Sequence, residues 1–121
     1  MISADELRQL ESTLLPALER HHLRLLAHGL RTLQAGAGRR GGPLPDAATM
    51  ERWAADQPQL AADPGFRLSF LHQLKGLAAQ LSAIAAERGR APLDLQLDDL
   101  IAWAERSAQA RISPQQPRTP G

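Results

Sequence analysis

The sequence contains no cysteine, which excludes disulfides, thiolate nucleophiles, zinc ribbons and cysteine-held iron-sulfur clusters. Aromatic residues are nearly as scarce, the whole set being Trp53, Phe66, Phe70 and Trp103. No apolar run approaches the roughly 20 residues that a membrane-spanning helix requires. The start, "MISADELRQLE", has no charged-then-apolar signal layout. Excess charge of one sign is also missing. The net charge is +1, so the chain lacks the strong positive field of a dedicated nucleic-acid binder. Of its 14 Lys and Arg residues only Lys75 is a lysine. That skew, with plentiful Ala, Gly and Pro, reads as the codon bias of a GC-rich bacterial genome. These absences together lead to the expectation of a bacterial, cytoplasmic protein without a membrane segment.

What remains is a leucine- and alanine-rich chain. Straight-chain and small side chains lose little freedom in a helix, whereas β-branched residues, which favour strands, are few. The 121 residues fit one domain, expected over residues 1–112, with a disordered tail over 113–121, "SPQQPRTPG", which has little to bury. Ser3 and Glu6 form a capping box that starts a first helix expected over about 4–34. Its leucines fall into two sets, Leu7, Leu10 and Leu14, then Leu15, Leu18, Leu23, Leu26, Leu30 and Leu33. Pro16 at their junction predicts a kink or break near 12–16.

A Gly/Pro-rich connector follows over 35–45, and the helical remainder occupies 46–112. Asp46 caps a short helix carrying Met50 and Trp53. Asp63 before Pro64 starts a long helix, whose Phe66, Phe70, Leu74, Leu77, Leu81 and Ile84 mark it as the central packing helix, ended by Gly89. Leu93, Leu95 and Leu97 read as an apolar lead-in to a last helix beginning near Leu97, with Asp98 and Asp99 in its first turn. The expected fold is all-α, an irregular small bundle of about four helices.

Four patterns invite a chemical reading. "GAGRRG" spaces Gly36, Gly38 and Gly41 as a dinucleotide-binding turn does, but that turn needs a strand before it and a helix opening out of it. Here a helix precedes and Pro43 and Pro45 follow, so the stretch reads as a hinge. Glu19 and His22 have the Glu-x-x-His spacing of di-iron bundles, yet neither His28 nor His72 has an acid three residues before it. No serine pairs with a histidine in a hydrolase-type elbow. Asp94, Asp98, Asp99 and Glu105 lack the central glycine of a calcium loop. No catalytic residue, cofactor or metal is therefore expected, and the chain is read as a non-enzyme.

The fourth pattern is basic. Arg20, Arg24, His28 and Arg31 share the face of the first helix opposite its leucines, and Arg39 and Arg40 extend the ridge into the connector. These six residues form the candidate interaction surface. The function expected is a protein-interaction, assembly or regulatory module that presents helix faces to a protein partner. The alternative is a nucleic-acid-associated protein using the Arg20, Arg24, Arg31, Arg39 and Arg40 ridge. The leucine stripe reaching Leu33 also suggests a homodimer through the first helix, which would cover leucines that a small domain leaves bare.

Overall fold

The computed structural model describes residues 2–13 and 15–112. Leu14 of the first leucine set and the expected tail over 113–121 lie outside them. Six α-helices form and, among the described residues, no strand. They are α1 (Ala4–Glu11), α2 (Ala17–Ala37), α3 (Ala47–Ala55), the single turn α4 (Pro58–Ala61), α5 (Pro64–Arg88) and α6 (Leu97–Ile112), with a 3-10 turn at Pro92–Asp94.

The starts and stops follow side-chain chemistry. Ser3 and Glu6 exchange both bonds of the capping box, each 3.1 Å. Asp46 accepts from the Thr49 N–H at 2.8 Å and Asp63 from the Phe66 N–H at 3.0 Å, satisfying backbone donors that a helix start leaves open. Helix α2 ends on Gly38, at φ 72°, where the Arg39 N–H reaches back to the Gln34 carbonyl and the Gly38 N–H to Ala35. This Schellman closure needs a left-handed residue, which glycine adopts without a Cβ penalty.

The segment expected as one helix over 4–34 is two, broken between Glu11 and Ala17, and Pro16 stands as the residue before α2. The break folds α1 back onto α2. Leu10 and Leu15 then join Leu23, Leu26, Leu30 and Leu33 in one core. Every one of these is at most 5% exposed, which removes the motive for a homodimer through the first helix: the stripe is covered within the chain. Leu7 and Leu18 stay out, at 40% and 81% exposed.

Helix α2 is also the centre of the bundle, touching α1, α3, α5 and α6. The regular stripe of α5 predicts that role for α5 instead. Only Leu74, Leu81, Ile84 and Ala85 of α5 are buried, against eight residues of α2. The alternating Leu93, Leu95 and Leu97 do form an apolar lead-in, all three buried under α2 and α5.

The connector is anchored rather than a free hinge. The Leu93 N–H donates to the Gly42 carbonyl at 2.9 Å, the Gly42 N–H donates to Asp94 Oδ1 at 3.1 Å, and Gln34 Nε2 donates to the Leu93 carbonyl at 3.0 Å. Two glycines of "GAGRRG" permit close approach. A Cβ on Gly36 would collide with Met50 Sδ, and one on Gly41 would come within 2.5 Å of Asp94 Oδ1. The glycines therefore close a helix and let two segments approach, a structural role that leaves no cradle for a phosphate.

Candidate functional site

The basic ridge faces α1. Arg24 is ion-paired with Glu11, and Arg20 lies 3.9 Å from the same carboxylate while donating to the Leu15 carbonyl at 2.7 Å. Arg31 Nε donates to Glu6 at 3.2 Å and its Nη1 to Gln34 Oε1 at 2.9 Å. The hydrogen bond from Arg31 is the main reason the Glu6 carboxyl sits below the usual carboxylate range, helped by the Ser3 N–H and by the charges of Arg31 and Arg40, against an opposing effect of burial. Arg39 donates to the Gly41 carbonyl. His28 lies on the exposed side of α2, its pKa lowered mainly by partial burial, with nearby positive charge, Arg24 included, adding to it. Arg20, Arg24 and Arg31 thus serve as the seam that docks α1 on α2. Their charge is answered inside the chain. Arg39 and Arg40 are exposed and line a polar cleft of about 760 Å³ with Glu6 and Arg31.

The other patterns separate as well. His22 Nε2 lies 2.8 Å from Gln80 Oε1, with the Trp103 ring 6.1 Å from its own. No group of three or more acids and histidines able to hold a metal gathers among the described residues. Asp99, 2% exposed, accepts from the Gln96 N–H at 2.8 Å and from Arg88 at 3.1 Å, with Arg90 3.4 Å away. A buried carboxylate held this way fixes the start of α6 against the end of α5.

An apolar concavity lies elsewhere, a groove of about 880 Å³ between α5 on one side and the connector and α3 on the other. Buried Leu33, Met50 and Leu74 form its floor. Leu44, Pro45 and Glu51 make one bank; Leu68, Leu71, Lys75 and Ala78 make the other, with His72 and Ala79 at its edge. Leu68 is 71% exposed, a large apolar side chain left in water. Glu51 and Lys75 are exposed on opposite banks, and neither is ion-paired among the described residues.

None of the groove residues belongs to the basic ridge. Two signals for them are present in the sequence. Between Asp63 and Glu87 there is no acid, so α5 lacks the alternating charges of an ordinary solvated helix face. Its Leu68, Leu71, Ala78 and Ala79 also fall on a second flank beside the Phe66 to Ile84 stripe. Helix α5 packs on α2, α3, α4 and α6, yet this second flank stays open in the groove.

A family model described as "NDH complex assembly factor CRR9" matches residues 2–111. No curated protein and no solved structure matches the chain. An assembly-factor family is not an enzyme family, which agrees with the missing catalytic sets. The match also corrects an expectation. The composition pointed to a bacterial protein, whereas the family is a plant and cyanobacterial one, so the expectation holds only for its cyanobacterial members. Arginine, alanine and proline enrichment reports codon usage, and codon usage does not name a lineage.

Proposed function

Since this chain belongs to the family of the NDH complex assembly factor CRR9, we propose that it acts in assembly of the NDH complex by holding a protein of that complex, or of its intermediates, in the groove between α3 and α5. The observation that carries this reading is the second apolar flank of α5, where Leu68 stands 71% exposed beside half-buried Leu71 and Ala78. Exposed apolar surface of this kind, rimmed by charge, suits a protein partner. A modest groove also suits a partner that must later be released, because affinity depends on a few well-packed anchors rather than on large area.

The test is Leu68→Glu in cells that make the NDH complex. This position is exposed enough for the fold to survive the charge. The amount of assembled complex should fall while turnover per assembled complex stays constant. A normal amount of complex with altered turnover would overturn the proposal, because it would place the chain in the working of the complex instead of its construction.

A further inference from the structure

We infer that the occupant of the α3/α5 groove is an amphipathic α-helix of a partner protein, with an acidic residue against Lys75 and a basic residue against Glu51. The inference rests on the reading of the groove as the partner-holding surface. Its first support is backbone chemistry. One bank is helix α5 and the other is α3 with Leu44 and Pro45 of the connector; the helical N–H and C=O groups are bonded internally, and Pro45 has no N–H to give. An extended segment laid there would find only the short connector stretch at Leu44 to pair with and would leave most of its own polar groups against Met50, Leu71 and Ala78. A helix satisfies its own backbone and offers side chains alone.

Its second support is dimension. The apolar strip of α5 runs from Leu68 to Ala79, roughly 16 Å at about 1.5 Å per residue, or three helical turns. It is tapered, with leucines at Leu68 and Leu71 and only methyl groups at Ala78 and Ala79. A partner helix can approach closely over the alanines while its larger side chains seat between Leu71 and the Leu44 and Pro45 bank.

Charge selects among helices. The arginines of α2 are spent on Glu6 and Glu11, whereas Lys75 and Glu51 face each other's bank unpaired. A second copy of this chain is a poor occupant. Its exposed apolar helix would be α5, which offers no acid between Asp63 and Glu87 and would set Lys75 near Lys75 in a two-fold pairing.

The single lysine makes the experiment direct. In cells carrying the NDH complex, the full chain with a photoreactive residue at position 68 is cross-linked. In parallel, zero-length carboxyl–amine coupling is applied, in which Lys75 is the only side-chain amine this chain can supply to a partner carboxylate. Both adducts should map to one segment of another protein, with apolar residues every three or four positions and an acid joined to Lys75. A synthetic peptide of that segment should bind the full chain about 3- to 5-fold more weakly after Lys75→Glu, as expected for a rim charge. Reversing the peptide's acid should restore binding to that variant. Adducts on another copy of the chain, on lipid, on a segment without helical periodicity, or none at all, would overturn the inference. If the complex still fails to accumulate with Leu68→Glu while the adducts miss a helix, the assembly reading stands and only the helix is wrong.

Discussion

The two long helices make opposite use of similar material. Helix α2 has 21 residues and buries eight of them, while α5 has 25 and buries four. The difference is in what surrounds each. Around α2, Leu23, Leu26, Leu30 and Leu33 are covered by its neighbours α1, α3, α5 and α6, with Leu18 in its first turn left exposed, and its arginines are answered by α1, so most of its apolar and charged surface is satisfied within the chain. Helix α5 packs on α2, α3, α4 and α6 but keeps one flank over an open groove whose Glu51 and Lys75 have no ion-pair partner among the described residues. A helix whose needs are met internally is scaffold, and a helix whose needs are unmet is where a partner belongs.

The sharpest test of that contrast is truncation of matched leucines. Leu30, 1% exposed at the centre of α2, should cost about 2–5 kcal/mol as Leu30→Ala, through lost burial and a cavity that the packed helices cannot close. Half-buried Leu71 on α5 should cost about 1 kcal/mol as Leu71→Ala, since much of its surface is already in water. Urea denaturation of both variants reads the gap directly. Equal losses would mean that α5 is as much part of the core as α2.

Glycines give the next test. In α2, Gly36→Ala gains about 1 kcal/mol of helix propensity, but its Cβ meets buried Met50 with Trp53 at 3.5 Å, and overpacking of that sort costs about 1–3 kcal/mol. Net destabilisation is expected. In α5, a Cβ at Gly76 has nothing within 4 Å, so Gly76→Ala should stabilise by up to about 1 kcal/mol. Thermal melts that move in the same direction for both would break the contrast.

The seam responds to acid. Glu6 has a folded pKa below its unfolded one because of Arg31, so the stability it contributes is present at neutral pH and is lost as pH falls through its lowered folded pKa. Glu6→Gln should therefore cost about 1 kcal/mol at neutral pH, and the gap to the wild type should close on acidification. A gap that persists unchanged in acid would show that Arg31 does not hold the carboxylate as drawn.

Much of the scaffold was legible in the sequence because its signals are local. Ser3 with Glu6, Asp46, Asp63 before Pro64, Gly89 and Pro16 each act on the backbone within about one turn of themselves, and helix starts, stops and the break followed from them. The rank of the helices was not legible, because periodicity records that a face is apolar and not whether another element covers it. Phe66 to Ile84 is the cleanest stripe in the chain, yet Phe66 is 54% exposed. The partners of the basic ridge were hidden for a related reason. Arg24 and Arg31 share a face with no apolar residue to suggest cover, and only the fold back at Pro16 brings Glu11 and Glu6, 13 and 25 residues away, to meet them. The groove was half visible, since the acid-free run of α5 is written in the sequence but the opposing bank of Leu44 and Met50 arrives through tertiary packing.

The smallest expected change in stability separates scaffold from surface most cleanly. Leu68 is 71% exposed, so Leu68→Ser should leave the unfolding free energy within about 0.5 kcal/mol of the wild type, because little area returns to water on unfolding. Its effect on partner binding should be far larger than on folding, since a side chain that contributes nothing inside the chain is free to be an anchor outside it. Comparable variants on α2 would show the reverse order, unfolding first and losing binding only as a consequence. The measurement pairs a urea melt of the purified variant with the level of assembled NDH complex in cells. A Leu68→Ser chain as stable as the wild type that also supports full assembly would return α5 to the scaffold and leave the groove without a role.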